Sequence, residues 1–235
     1  MIRRDVELKA KDFRWFLIGY IVLLMAALTV RSDETIGVNA GLSNGEYSYR
    51  AGSAPWALAF AVVGAGLYLS LLCSKVVASL RVMPYLFRRW AAGMIDFVWA
   101  FITPTAFLGL VAILFEYRRT GVFDWLVDRQ EQQPGDWLFA FASVFTLMFA
   151  VLPCYFALSW RFGKPTPGSC IFGFRIVADE GTHLHFWKAG LRALLGSMAL
   201  LAWPCWILAY WVKRDKSAGK FWLDAVFRTH AEYFD

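Results

Sequence analysis

Five long apolar runs divide this chain: Phe16–Val30, Pro55–Ser74, Ala91–Phe115, Trp137–Trp160 and Ala193–Val212, each bounded by charged or turn-forming residues. A helix needs about 20 apolar residues to cross the roughly 30 Å hydrocarbon core of a bilayer, with a lower limit near 17. The middle three runs reach that length by themselves, and Phe13 and Trp15 extend the first. The fifth is long enough but is interrupted by Pro204 and by small or polar residues. The pattern predicts an all-α fold, a polytopic transmembrane helical bundle with four spans and a fifth run that is either a full span or a re-entrant hairpin. The first helix is expected to be retained, because Arg31-Ser32-Asp33 follows it without a small-x-small cleavage site.

Composition supports the membrane reading. The chain is 59% hydrophobic and 18% charged, with a mean hydropathy of +0.47; soluble domains average about 45–50% apolar and 25% charged. The net charge of +6 does not point to nucleic acid, because the basic residues flank the runs, where they set orientation and meet anionic lipid. With the amino terminus inside, Arg3, Arg4, Lys9, Lys11, Arg14, Lys75, Arg81, Arg88, Arg89, Arg161, Lys164, Arg175, Lys188 and Arg192 fall on the inner side. Arg31, Arg50, Arg118, Arg119 and Arg129 fall outside. That bias predicts a multi-pass membrane protein with a cytoplasmic amino terminus. Lys213, Arg214, Lys216, Lys220 and Arg228 obey it only if the fifth run dips in and returns. The length of that run favours a full span; its charges and Pro204 favour the hairpin.

The connectors carry less information. Ser43-Asn44-Gly45-Glu46 is a turn signal inside residues 31–54 and marks a small hairpin. Residues 116–136 read as a solvated loop resting on headgroups, with Trp125 and Trp137 at interfacial spacing. On the inner side, residues 161–190 hold the turn cluster Gly163-Lys164-Pro165-Thr166-Pro167-Gly168. Two extended pieces follow, Ile171–Val177 and Thr182–Phe186, around Asp179-Glu180-Gly181, a predicted cytoplasmic hairpin, with a helix starting near Phe186. The small-residue stripe Ala57-x-x-x-Ala61-x-x-x-Ala65 permits close helix packing within the chain, or against a second copy. Cys73, Cys154, Cys170 and Cys205 match neither a disulfide framework nor a zinc site, and His183-x-His185 lacks further ligands nearby, so no metal or cofactor is expected.

The chemistry centres on one acidic residue. Asp96 lies inside the otherwise nearly uncharged run Ala91–Phe115, and an ionised carboxylate at the centre of a membrane helix costs about 2.5–3.5 kcal/mol on insertion scales. Arg89 is seven residues earlier, on the same helical face and about 10 Å away along the axis. That is too far for a good ion pair, so Arg89 is expected to snorkel to the headgroups. Arg192, at the start of the fifth run, is the expected partner of Asp96.

Arg89-x-x-Ala92-x-x-Ile95-Asp96, then Thr166-Pro167-Gly168, Gly173-Phe174-Arg175-Ile176-Val177, Gly181, Arg192, Asp215, Lys220, Asp224 and Arg228-Thr229 follow one another in order. Together they resemble the RDD family of bacterial membrane proteins, named for one arginine and two aspartates. The resemblance covers residues 85–235 approximately. It implies that Arg89 is the family arginine, Asp96 the first aspartate and Asp224 the second. Residues 1–84 form two additional transmembrane helices outside it. If the tail lies inside, Arg89, Asp96, Arg192, Asp215 and Asp224 can gather in one polar seam.

Two functional expectations follow. The first is transport, or a transport-accessory role, with a proton or monovalent cation handled at Asp96. The second is a non-transporting interaction protein, an assembly factor or immunity-type partner of another membrane protein. Apart from the lipid bilayer, the expected partners are therefore a membrane protein or a second copy, and no nucleic acid. No nucleophile–base pair, phosphate loop or paired carboxylates are visible, so the chain is not expected to be an enzyme.

Overall fold

A computed structural model describes residues 9–31, 34–43, 46–76, 78–80, 86–133, 135–179, 184–201 and 222–234. Four helices among them are long and apolar enough to cross a membrane: Ala10–Val30, Pro55–Cys73, Phe87–Thr120 and Asp136–Arg161. These are the first four expected spans. The corresponding elements are α1 (Phe13–Val30), entered by a 3-10 turn at Ala10–Asp12, then α2 (Pro55–Cys73) and α3 (Leu86–Thr120). The fourth span is α4 (Asp136–Thr146), a π-helical turn (Leu147–Val151) and α5 (Leu152–Arg161). Pro153 explains the π-turn: it has no N–H for the carbonyl of Phe149, and its ring would collide with that carbonyl in a regular α-helix. Leu23, Val62, Leu138 and Phe141 on these helices are all more than half exposed, as side chains facing hydrocarbon must be.

The chain is not purely all-α. Among the described residues 67% are helical, and two three-stranded sheets stand outside the spans. The strands are β1 (Gly37–Ser43), β2 (Glu46–Gly52), β3 (Ala78–Leu80), β4 (Leu126–Arg129), β5 (Phe174–Ala178) and β6 (Thr229–Phe234). The remaining helices are α6 (Pro167–Ile171), α7 (Phe186–Leu201) and α8 (Trp222–Phe227). The connectors have to satisfy their own backbone groups, and pairing short strands from separate loops achieves this.

Two compact units result, one built from Met1–Ile21, Leu67–Val98 and Leu152–Asp235, the other from Val22–Gly66 and Trp99–Val151. In the second unit the sheet order is β1-β2-β4. The expected hairpin is present as β1 and β2, in register from Gly37↔Gly52 to Ser43↔Glu46. The stretch read as a solvated loop adds β4, whose Asp128 sits opposite Arg50 and forms a 3.0 Å ion pair with it. Small residues let the backbone pack tightly here. A Cβ on Gly109 would overlap the carbonyl oxygen of Gly52, and the Ser53 hydroxyl donates to the Ala106 carbonyl at 2.7 Å. Ala57 and Ala61 of the small-residue stripe are fully buried against Ala106, so these two alanines serve packing within the chain.

In the first unit the order is β3-β6-β5. The carboxyl-terminal strand β6 is the central strand, antiparallel to both neighbours. Of the expected cytoplasmic hairpin, Ile171–Val177 contains most of β5, which pairs with β6, and Phe186 begins α7, while residues 180–183 lie outside the described residues. Gly173, at φ +73, turns the chain from α6 into β5. Arg175 and Glu232 are directly opposed across this pair, with a 2.6 Å hydrogen bond from Nε to Oε1. Ala92, Phe174 and Ala231 form the core beneath the sheet.

One sheet joins segments that follow α2, follow α5 and end the chain, so all three lie on the same side. The Ala10 amide donates to the Lys75 carbonyl at 2.9 Å, which puts the entry to α1 on that side too. A single full crossing by the fifth run would leave β6 on the opposite side from its partners. The full-span alternative is therefore unsupported; residues 202–221, which join α7 to α8, lie outside the described residues.

Candidate polar seam

Asp96 is 2% exposed on α3 and accepts three hydrogen bonds. The Tyr155 hydroxyl and the Gly168 amide donate to Oδ1, each at 2.8 Å, and the Thr166 hydroxyl donates to Oδ2 at 2.5 Å. All three donors are neutral. The local sequence explains the arrangement. Thr166 caps α6, its oxygen accepting from the Ser169 amide at 3.3 Å, and Pro167 occupies the first helical position, where its missing N–H costs nothing. Gly168 is required because a Cβ there would overlap the Ala92 carbonyl oxygen and stand 3.0 Å from Asp96 Cγ. Ala92, one turn before Asp96, is small for the same reason. The Arg-x-x-Ala-x-x-Ile-Asp and Thr-Pro-Gly motifs are thus two sides of one contact.

Behind Asp96, the ring of Tyr155 stacks on Tyr68 at 4.6 Å. The Tyr68 hydroxyl donates to the Tyr155 carbonyl at 2.5 Å and lies 3.1 Å from the Ser159 hydroxyl. Tyr155 is thereby held from two directions.

The second cluster is ionic. Arg89 makes a two-pronged contact with Asp224, Nη1 to Oδ2 at 2.6 Å and Nη2 to Oδ1 at 2.9 Å. Arg192 Nη2 reaches the same Oδ1 at 2.7 Å, its Nε donates to the Thr229 hydroxyl at 3.2 Å, and its guanidinium stacks 4.3 Å above Trp160. The three charged side chains are 8% (Arg89), 2% (Asp224) and 3% (Arg192) exposed. Burial pushes the Asp224 carboxyl up, but the guanidiniums of Arg89 and Arg192 more than offset it and hold it below the usual carboxylate range. One carboxylate fixes two arginines, with α3, α7, α8 and β6 all contributing.

Two expectations are corrected. Asp96 does not pair with Arg192, because Arg192 is engaged at the level of Arg89, about two turns of α3 from Asp96. Arg89 does not snorkel to the headgroups; it is buried in a salt bridge. The seam therefore divides into a neutral-donor site around Asp96 and an ionic site around Asp224. Asp215 lies outside the described residues, as does His183. Among the described residues no group of three His, Cys, Asp or Glu side chains is placed to hold a metal.

Beside the seam, the Cys170 thiol lies 3.1 Å from the Ala10 carbonyl, and burial pushes its pKa up to about 12. The Lys164 ammonium donates to the Ser74 carbonyl, and burial lowers its pKa. The sequence had already grouped Thr166, Gly168 and Thr229 into motifs without assigning them partners. Tyr155, Tyr68 and Trp160 gave no signal, since aromatic residues in a membrane helix are unexceptional.

A family model described as the RDD family matches residues 83–224, more than half of the chain and inclusive of Arg89, Asp96 and Asp224. The chain belongs to the RDD family. No curated protein and no solved structure matches it. The RDD match begins just before α3, so α1 and α2 precede it. Within that match Arg89 and Asp224 are partners, and Asp96 is bound by neutral donors.

The other unit has a charged cluster in a stretch whose sequence pattern marks only a loop. Asp136 is buried at the start of α4 and is contacted by Arg129; the Tyr47 hydroxyl donates to it at 2.6 Å and the Gln133 amide at 2.9 Å. Arg129 also lies 4.5 Å over the Tyr49 ring and 3.5 Å from Glu116. Burial, with Asp136 beside it, pushes the Tyr47 hydroxyl up to about 12. Asp136 thus ties β2 and β4 to the start of α4.

Proposed function

We propose that this RDD protein is a non-transporting, non-enzymatic component of the bacterial cytoplasmic membrane, with its amino terminus inside, and that it serves as an assembly or immunity-type partner of another membrane protein. In this reading the seam is a clamp. The observation that carries it is the closure of Asp96: three protein donors hold the carboxylate, Gly168 packs directly against Ala92, and Tyr155 is itself pinned by Tyr68. A transport carboxylate has to exchange its ion with water on each cycle, which would require these contacts to open together. The ionic site supports the same reading, because breaking a buried ion pair costs about 3–5 kcal/mol.

A second reading is favoured by one feature of the same site. None of the three donors to Asp96 carries a charge, so a proton or monovalent cation would supply a positive charge that these donors do not. Proteoliposomes separate the two. The clamp reading expects no proton or sodium flux above that of empty vesicles and a stoichiometric membrane-protein partner in crosslinked native membranes. Flux that disappears in Asp96→Asn while the melting temperature falls by no more than about 4 °C would establish the second reading in its place.

A further inference from the structure

The segment after α3 has an exposed apolar surface that the seam does not use. Gly121, at φ +74, ends the helix, its amide donating to the Tyr117 carbonyl at 2.8 Å. The chain then presents Val122, Phe123, Trp125 and Leu126, which are 69%, 45%, 41% and 45% exposed. Soluble surfaces rarely collect such side chains in one place. They are also ordered. Phe123 meets Tyr117 edge-to-face at 6.1 Å and Trp125 at 5.1 Å. The Ser53 amide donates to the Trp125 carbonyl at 3.2 Å, and Leu126 enters β4, which is hydrogen-bonded to β2. The Asp124 carboxylate accepts from the Leu126 amide at 3.3 Å. Arg118 and Arg119 are exposed at the end of α3, beside Tyr117.

We propose that Val122–Leu126 is a lipid anchor that lies in the headgroup–acyl boundary of the membrane leaflet where α3 ends. Three features select lipid as the occupant. The segment directly follows a candidate span, so it starts at the depth of the headgroups. Tyr and Trp rings, apolar in body and polar at one edge, are the side chains that partition to this zone. The exposed Arg118 supplies charge complementary to lipid phosphate, while Arg119 is ion-paired with Glu116. The sheet holds the aromatic rings in place before they meet the bilayer, so insertion orders little that is not already ordered. The anchor would fix the depth of α3, which at 35 residues is about 52 Å long and exceeds the hydrocarbon core.

The test uses the full-length protein in proteoliposomes. The fluorescence of Trp125 is isolated as the difference between wild type and Trp125→Phe. Val122→Trp in the Trp125→Phe background repeats the measurement at the most exposed position. The expected result is that most of each difference signal is lost with phospholipids brominated near the glycerol end of the acyl chain, and little is lost with aqueous iodide. Loss to iodide alone would place the segment in water. Protection from both quenchers would mean that protein covers it. Either outcome overturns the anchor.

Discussion

Gly168→Ala is the sharpest test of how the Asp96 site is built. The new methyl would overlap the Ala92 carbonyl oxygen and lie 2.9 Å from the Ala92 carbonyl carbon and 3.0 Å from Asp96 Cγ, against an optimum of about 3.5–4.0 Å for carbon contacts. The turn carrying Thr166 and Gly168 would have to retreat by about 1 Å. The Gly168 amide, now 2.8 Å from Asp96 Oδ1, would then lie beyond hydrogen-bonding distance. Overpacking costs about 1–3 kcal/mol, and a lost hydrogen bond to a charged group about 1.5–3 kcal/mol. A total of about 2.5–6 kcal/mol lowers the melting temperature of a chain this size by at least about 5 °C. The assay is thermal unfolding of purified protein in one mild detergent, with Gly190→Ala as control. Gly190 has nothing within 4 Å of its would-be Cβ, and alanine in a helix is worth about 0.5–1 kcal/mol over glycine, so the control should melt slightly higher. A Gly168→Ala protein that melts within about 2 °C of wild type would refute the close contact between α6 and α3.

Asp224→Asn should cost about 3–5 kcal/mol, because two buried guanidiniums would face a neutral amide; melting close to wild type would disprove the ionic site. The folded pKa of Asp224 is depressed, so its contribution is fully present above the unfolded value of about 3.9 and is lost as pH falls through the folded value. Wild type and Asp224→Asn should therefore converge in stability only in strong acid, as read by melting at stepped pH. Asp96→Asn should be milder, about 1 kcal/mol, since no arginine loses its counter-charge and the Thr166 hydroxyl can reverse to accept from the new amide; a larger loss than Asp224→Asn would contradict the neutral-donor assignment. Cysteines placed at Lys75 and Arg228 should be labelled by an impermeant thiol reagent from the same side of the membrane, and labelling from opposite sides would rule out the sheet β3-β6-β5.

The spans were legible because hydrophobicity along a membrane helix is written residue by residue. The hairpin at Ser43–Glu46 was legible from turn chemistry. The two sheets were not, because β3, β5 and β6 come from three distant connectors, and no local pattern shows which strand a short extended piece will choose. At the seam, the sequence marked Asp96 by its cost in hydrocarbon and marked Thr166, Gly168 and Arg192 by their place in a motif. It could not pair them correctly. Arg192 and Asp96 are the obvious cation and anion by one-dimensional reasoning, yet the axial offset between Arg89 and Asp96 divides the partners into two levels. Tyr155 fills the role assigned to Arg192, and a hydroxyl among many membrane aromatics carries no advance sign of that role.

The central position of β6 has a consequence for biosynthesis. β3 and β5 leave the ribosome before the strand that belongs between them, so their hydrogen-bonding edges stay open until β6 has followed. A nascent chain that stops before Thr229 would carry two unsatisfied strand edges, a ready recognition mark for the proteases that clear unfinished membrane proteins.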